Sequence, residues 1–148
     1  MTVNIDEIKK LRQLTGAGVM DARQALQETN GDIDKAKEWI KQKGLAKAAK
    51  KADRETGAAF VFAYVHHNGR MGALLKLACE TDFVAKNDKF QNLGKELVLQ
   101  VASMDPKNLK EFLAQPYLKN PKQTIEDLIK ETAGVIGENI KILEFARL

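Results

Sequence analysis

Apolar residues recur at helical spacing over the first third of the chain. Residues 5–14 carry them at steps of three and predict a first short helix. The same spacing predicts a second helix over residues 20–29 and a third over residues 32–43, with Gly44 as its end. Three such helices form a compact bundle close to the smallest size that folds unaided. Trp39 is expected to supply much of its core.

A further helical segment follows over residues 45–52, and it consists of strong helix formers. Its apolar stripe is weak, because only leucine and alanine side chains contribute to it. We interpret it as a connecting helix, after which the pattern changes period. The sequence therefore predicts an N-terminal three-helix module with its linker helix over residues 1–52 and an α+β core domain over residues 53–148.

Two segments rich in β-branched, aromatic and aliphatic residues come next, over residues 57–66 and 70–80. Asn68-Gly69 lies between them and is the preferred dipeptide of a type I′ hairpin turn. Residues 139–147 repeat the strand pattern near the end of the chain. We therefore expect a three-stranded antiparallel sheet.

The segments between the second and third strands have a helical period. Residues 90–104 form one long apolar stripe, and residues 106–116 form a short turn. Residues 125–133 form another helix, which Gly134 is expected to end. These helices can cover only one face of the sheet, yet apolar residues occur on both faces of its first strand. The pattern predicts an α+β fold with one sheet face left for a partner.

One connection in this core carries an unexplained aromatic ring. Residues 81–86 join the second strand to the long helix. Thr81 is a good helix N-cap, and Asp82 lies where a negative charge suits the helix dipole. Neither role explains Phe83. Connecting segments carry both structural anchors and binding residues, so Phe83 either packs into its own core or is presented to a partner.

Charge is distributed unevenly along the chain. The 148 residues contain 24 Lys and Arg against 20 Asp and Glu, a net charge of +4. All of this excess lies in residues 1–54, which hold 12 basic and 8 acidic residues. Within them, residues 41–51 contain five lysines and no acidic residue. Such a run is usually a solvated helix face, and its alternative role is a phosphate-binding patch in a small RNA-binding protein.

Residue types that support catalysis or metal binding are sparse. Cys79 is the only cysteine, which excludes an intramolecular disulfide and a cysteine metal cluster and is typical of a small buried side chain. His66 and His67 are adjacent on a predicted strand and therefore point to opposite faces, a poor geometry for a metal site. The sequence has neither a phosphate-binding glycine loop nor a serine-centred elbow. We expect no enzymatic catalysis, no cofactor, no metal and no direct nucleotide binding.

The cellular compartment is predicted from two further features. No apolar run approaches the roughly 18 residues of a membrane span, and the N-terminus lacks a secretory apolar region. A single cysteine fits a reducing compartment. The sequence therefore predicts a cytoplasmic protein without a membrane partner.

Two stretches of the chain resemble the elongation factor Ts family. Members of this family are the guanine-nucleotide exchange factors for elongation factor Tu in translation. The first stretch lies in the connection after the second strand and reads Thr81-Asp82-Phe83-Val84-Ala85. The second, residues 15–21, is similar to the turn of the ubiquitin-associated-type helical domain that begins these factors. It departs from the family at Val19, where many relatives have Met.

The resemblance implies a protein that binds the GDP-bound form of elongation factor Tu and promotes GDP release. The implied contact residues are Thr81, Asp82, Phe83, Val84, Arg12, Val19 and Met20. Asp82 and Phe83 would push between two helices of the G domain and disturb its Mg²⁺ and phosphate site. Without the resemblance, Val19 and Met20 are expected simply to close the bundle.

The resemblance also bears on assembly. Long members of the family carry two core subdomains and a coiled-coil insertion, whereas one core copy occurs here before the chain ends at Leu148. This arrangement is similar to that of the short members, which act as homodimers with their sheets packed together. RNA is then not an expected partner. A third interpretation, a ubiquitin-type adaptor built on the helical module, does not account for Phe83.

Overall fold

The computed structural model describes residues 2–148. Within this range the helices are α1 (Ile5–Thr15), α2 (Val19–Glu28), α3 (Ile33–Lys51), α4 (Asp82–Ala85), α5 (Asp88–Met104), α6 (Leu109–Ala114) and α7 (Ile125–Ile136). The strands are β1 (Ala58–Val65), β2 (Gly72–Cys79), β3 (Pro116–Tyr117), β4 (Asn120–Thr124) and β5 (Lys141–Arg147). A helical first third therefore precedes a mixed core, and the predicted α+β class is confirmed.

Helices α1, α2 and α3 form a bundle around a small apolar centre. Asn4 caps α1 by accepting a hydrogen bond from the Asp6 N–H at 3.0 Å. The fully buried side chains of the centre are Leu11, Ala22, Ala25, Leu26 and Ala36. Trp39 packs against the edge of this cluster, and the Lys43 ammonium lies 4.9 Å from the centre of its ring. The bundle therefore relies on leucine and alanine contacts more than on the indole.

Neither Gly44 nor Gly134 ends a helix, contrary to the sequence prediction. Helix α3 continues to Lys51, so the predicted linker is its second half. Helix α7 continues past Gly134 and ends at Gly137, where φ is 89°. The physical reason is that α3 and α7 cross closely at the two glycines. The expected weak burial of residues 45–52 is confirmed, because Ala49 and Ala52 are exposed and Leu45 is half-buried, while Ala48 packs in the core below the sheet.

The large sheet has the strand order β1-β2-β5 and is antiparallel throughout, as predicted. Phe62 pairs with Leu75, and Leu77 pairs with Ile142. The ladder of β2 with β5 is irregular between Lys76 and Leu77, where its register shifts. The register aligns large apolar side chains on the same face of all three strands.

The turn between β1 and β2 is not the predicted type I′ turn. That turn requires positive φ at both central residues, but Asn68 is outside the positive-φ region and only Gly69 has a φ of 69°. The His66 N–H donates to the Met71 carbonyl at 2.8 Å, and the Gly69 N–H donates to the His66 carbonyl at 2.8 Å. A longer loop with one left-handed glycine therefore closes the hairpin.

The helices cover one face of the sheet. Phe90, Leu97 and Val101 of α5 are fully buried there, and the Phe90 ring lies 6.0 Å from that of Phe62. The opposite face carries exposed apolar side chains, which are Val61, Val65, Leu74 and Leu143. We call this the open sheet face. It matches the expectation that the helices leave one side of the sheet uncovered.

Sequence reasoning missed a small second sheet formed by β3 and β4. Buried Gln100 of α5 holds it, because its side-chain amide donates to the Pro116 carbonyl at 3.0 Å and its carbonyl accepts from the Leu118 N–H at 3.2 Å. The Tyr117 hydroxyl donates to Glu96 at 3.1 Å. Burial and the Glu96 carboxylate raise the pKa of Tyr117 to about 12. This hairpin packs at the side of α5 and α7.

Candidate partner-binding site

The segment of residues 81–86, which we call the Phe83 turn, contains the one-turn helix α4. The Thr81 hydroxyl accepts a hydrogen bond from the Val84 N–H at 3.3 Å, so its predicted N-cap role is confirmed. Thr81 and Asp82 are exposed, and Phe83 is 84% exposed. The interpretation that Phe83 fills its own core is therefore wrong. Val84, which the resemblance implies as a contact residue, is 7% exposed and packs in the core, where it anchors the turn.

The carboxylate of Glu138 accepts hydrogen bonds from the residues at the start of the Phe83 turn. One of its oxygens accepts from the Glu80 N–H and the Thr81 N–H, each at 3.0 Å. Its other oxygen accepts from the Thr81 hydroxyl at 2.8 Å. The last residue pair between β2 and β5 is Ala78 with Lys141. The N–H groups of Glu80 and Thr81 lie beyond that pair, so they donate to a side chain and not to a carbonyl of a neighbouring strand.

A reciprocal contact joins the same region to the end of α3. Glu80 accepts from the Asn139 N–H at 2.9 Å. Asn139 is 6% exposed, and its amide nitrogen donates to the carbonyls of Ala52 at 3.1 Å and Arg54 at 2.8 Å. The Arg54 guanidinium also lies 3.7 Å from Glu80. The Phe83 turn, the end of α7 and the segment after α3 therefore share one polar network.

Cys79 lies at the base of the same turn. Its thiol donates to the Thr81 carbonyl at 3.2 Å, and the side chain is fully buried. Burial raises the pKa of the Cys79 thiol, and the nearby Glu138 carboxylate raises it further. The thiol is therefore held protonated, which matches the expected role of a small buried side chain.

The turn between α1 and α2 forms a second exposed apolar surface. Val19 is 48% exposed and Met20 is 70% exposed. Ala17 is buried beside them, and the exposed Arg12 donates to its carbonyl at 3.3 Å. The interpretation that Val19 and Met20 close the bundle is wrong, because Ala17 and the α2 alanines fill that role. We call Arg12, Val19 and Met20 the α1–α2 surface.

A hydrogen bond connects this bundle to the helix that follows the Phe83 turn. The Lys89 ammonium, in the first turn of α5, donates to the Gly16 carbonyl at 2.8 Å. Gly16 has φ of 71°, and a Cβ at this position would lie 2.6 Å from the Lys89 ammonium. The contact links the turn between α1 and α2 to the start of α5, directly after the Phe83 turn.

The lysines of residues 41–51 are largely occupied by contacts within the chain. Lys43 and Lys47 each pair with Asp21 at 2.8 Å. Hydrogen bonds from these two ammonium groups lower the pKa of Asp21. The Lys51 ammonium donates to the Gly137 carbonyl at 2.8 Å. These contacts argue against a continuous phosphate-binding patch, the feature on which the RNA-binding alternative depends.

The two histidines lie in the loop after β1 and not on the strand as predicted. Their ring centres are 4.1 Å apart, and His66 Nδ1 lies 2.8 Å from the Tyr64 hydroxyl. Within residues 2–148, no group of three or more His, Cys, Asp and Glu side chains is placed to hold a metal ion. In the same described range, none of the helices has the length and apolar character needed to cross a membrane.

Four residues of this site were missed by sequence reasoning, namely Glu80, Lys89, Glu138 and Asn139. Glu138 and Asn139 had one usable signal, since they are polar residues between an apolar helix and an apolar strand, directly after Gly137. Lys89 had none, because its partner is a backbone carbonyl 73 positions earlier in the chain. A pattern of side-chain types cannot reveal such a contact.

The fold and the site together define a class: an α+β protein with an N-terminal helical bundle that presents an aromatic ring on a braced turn. The family model described as Elongation factor TS matches residues 80–148. The chain is also 43% identical over 152 residues to elongation factor Ts of Aquifex aeolicus, an alignment that covers 99% of this chain and 52% of the relative. It is 37% identical over 193 residues to elongation factor Ts of Fervidobacterium nodosum, with 100% and 98% covered.

The chain therefore belongs to the elongation factor Ts family. It is also 43% identical over 138 residues to elongation factor Ts of Nostoc sp., and it spans about half the length of the Aquifex and Nostoc relatives, 52% and 44% respectively. The Fervidobacterium alignment is nearly complete in both chains, and its 193 positions exceed the 148 residues here by 45. That relative therefore contains residues that have no counterpart in this chain.

Proposed function

We propose that this protein binds the GDP-bound form of elongation factor Tu and accelerates the release of GDP during translation elongation. The observation that supports the proposal best is Phe83, a large ring that is 84% exposed on a turn anchored from below and from one side. An exposed phenylalanine gains nothing for the fold, whereas it gains free energy when a partner buries it. The protein would act by binding in the cytoplasm and not by making or breaking bonds.

The proposed mechanism uses binding energy at the Phe83 turn. The ring of Phe83 enters between two helices of the G domain, with Asp82 beside it, and the displaced groups no longer hold Mg²⁺ and the phosphates. Burial of one Phe side chain contributes roughly 1.5 to 3 kcal/mol. Because each tenfold change in affinity corresponds to about 1.4 kcal/mol, the ring alone can weaken GDP binding by about one to two tenfold steps.

The α1–α2 surface supplies the second contact in this proposal. Met20 and Val19 offer an exposed apolar pair, and Arg12 adds a charge at its edge. Lys89 links the turn that carries this surface to the helix that follows the Phe83 turn. Two connected contacts bind one partner more tightly than either does alone. The division of the chain into domains of residues 1–52 and 53–148 stays a prediction. Across the predicted boundary, Ala48 of the first domain packs in the core of the second.

We also propose that the protein is a homodimer joined through the open sheet face. That face exposes the side chains of Val61, Val65 and Leu74. Next to them Lys76 of β2 lies opposite Glu144 of β5 in the strand register, which gives the face one charge of each sign. A two-fold symmetric contact between two copies buries the apolar side chains and lets opposite charges meet.

The release of a fluorescent GDP from elongation factor Tu tests the proposed function. We expect the chain to accelerate release in proportion to its concentration until the GTPase is saturated. Linkage requires reciprocity, so excess GDP must weaken binding of the chain by the same factor by which the chain weakens GDP. A folded chain that leaves the release rate unchanged at every concentration contradicts the proposal.

A further inference from the structure

The Phe83 turn is too short to hold its own conformation. Helix α4 has 4 residues, and an isolated helical turn of that length is unstable in water. The ring of Phe83 contributes no packing, because it is 84% exposed. Burial of Val84 and Ala85 anchors the far side of the turn. The near side, where β2 ends, needs a separate support.

Glu138 provides this support through three hydrogen bonds. Its carboxylate accepts from the Glu80 N–H, the Thr81 N–H and the Thr81 hydroxyl. The Thr81 hydroxyl in turn accepts from the Val84 N–H. A carboxylate bound to two backbone amides and a hydroxyl is a strong, directional contact. It fixes the backbone immediately before Asp82 and Phe83.

The position of Glu138 is itself fixed from both sides. It follows Gly137, which ends α7 in a left-handed conformation with φ 89°, and the Gly137 carbonyl accepts from the Lys51 ammonium at 2.8 Å. It precedes Asn139, whose N–H donates to Glu80 at 2.9 Å. The carboxylate is therefore supported by a rigid connection and aims at the turn from a preset direction.

We propose that Glu138 is the positioning residue of the Phe83 turn, which fixes the direction in which the ring is presented to the GTPase and thereby sets the rate of GDP release. This inference rests on the proposed function and adds a residue outside the turn to it. The side chain acts through Thr81 and Glu80. A small displacement of a group that must enter a defined gap lowers a rate strongly even when the group itself is intact.

The first experiment measures the geometry without the GTPase. Amide hydrogen exchange is recorded for the wild-type chain, Glu138→Ala and Glu138→Gln. Glu138→Ala is expected to expose the amides of Glu80 and Thr81 to faster exchange, while the amides of β5 keep their protection. Glu138→Gln retains an oxygen that accepts from both amides and should leave their exchange close to that of the wild type. Unchanged protection in Glu138→Ala overturns the bracing.

The second experiment measures GDP release from elongation factor Tu. Glu138→Ala is expected to lower the accelerated rate by at least about tenfold, and Glu138→Gln by no more than about threefold. Glu126→Ala is the matched control on α7, because Glu126 is exposed and, within residues 2–148, pairs with Lys130 alone, at 3.1 Å. Glu126→Ala should accelerate GDP release as much as the wild type.

A double-mutant cycle separates positioning from general destabilisation. If Glu138 acts through the ring, the variant Glu138→Ala/Phe83→Ala is no slower than Phe83→Ala alone. Additive losses overturn the inference, since they mean that Glu138 acts independently of Phe83. A wild-type chain that fails to accelerate release overturns the proposed function instead, and the amide exchange result still decides whether Glu138 braces the turn.

Discussion

Gly134 of α7 lies directly against the backbone of Gly44 of α3. A Cβ on Gly134 would approach the Gly44 carbonyl oxygen to 2.2 Å and its Cα to 2.5 Å. The reverse is not true, because a Cβ on Gly44 would lie 3.8 Å from the Gly134 Cα, an ordinary contact. The two helices therefore cross at a point where one of the glycines is required and the other is not.

This asymmetry predicts opposite effects for two alanine substitutions. Gly134→Ala forces two backbones apart and should destabilise the protein by about 1 to 3 kcal/mol. Gly44→Ala fits and should stabilise α3 by about 0.5 to 1 kcal/mol, because glycine is a poor helix former. Urea unfolding of both variants measures the difference. Similar destabilisation by both would show that the helices do not cross in this way.

Asn139 should tolerate alanine better than aspartate. Asn139→Ala leaves the Ala52 and Arg54 carbonyls without their donor and is expected to cost about 1 to 3 kcal/mol. Asn139→Asp places a carboxylate against the same two carbonyl oxygens and near Glu80, and should cost more. Unfolding free energies at neutral pH rank the two variants. An aspartate variant as stable as the alanine variant would contradict the assigned donor role.

Asp21 should contribute a pH-dependent part of the stability. Its pKa is lowered from 3.8 by hydrogen bonds from Lys43 and Lys47, so the contribution is present above pH 3.8 and disappears as the pH falls through the lowered value. Asp21→Asn should therefore be less stable than wild type by about 0.5 to 1 kcal/mol at neutral pH. The free energies of unfolding of the two proteins, measured at successively lower pH, should converge. A difference that persists in acid would assign the effect to packing.

The open sheet face predicts the outcome of a charge substitution. Leu74 is 53% exposed on this face, and Leu74→Glu places like charges against each other across a two-fold interface. The wild-type chain should sediment as a dimer and Leu74→Glu as a monomer with an unchanged fold. Leu118→Glu is the control, since Leu118 is 48% exposed in the β3–β4 hairpin. A wild-type mass of one chain at all concentrations would reject the dimer.

The element types could be predicted from the sequence, because periodicity reports which face of a helix or strand is buried. The same logic failed at Gly44 and Gly134, since glycine both ends helices and permits close helix crossings. Only the partner helix distinguishes the two roles. The type I′ turn predicted from Asn68-Gly69 was also wrong. The loop between β1 and β2 contains four residues besides these two.

The site was predictable where it depends on local chemistry. Thr81 as an N-cap follows from residue type and position alone. The exposure of Phe83 and the burial of Val84 do not, because both side chains are apolar and adjacent in a short connection. Glu138 and Lys89 act on backbone atoms 57 and 73 positions away. Contacts of that kind depend on the folded arrangement and leave little trace in the sequence pattern.

The most direct test of the central claim is to measure Phe83→Ala in two assays. Because Phe83 is 84% exposed, the free energy of unfolding should change by less than about 0.5 kcal/mol. Acceleration of fluorescent GDP release from elongation factor Tu should nevertheless fall about ten- to a hundredfold, the share of the affinity change that one buried Phe ring supplies. A variant that accelerates GDP release from elongation factor Tu as much as the wild type, or that loses stability in parallel with activity, would contradict the account that Phe83 is presented for a partner.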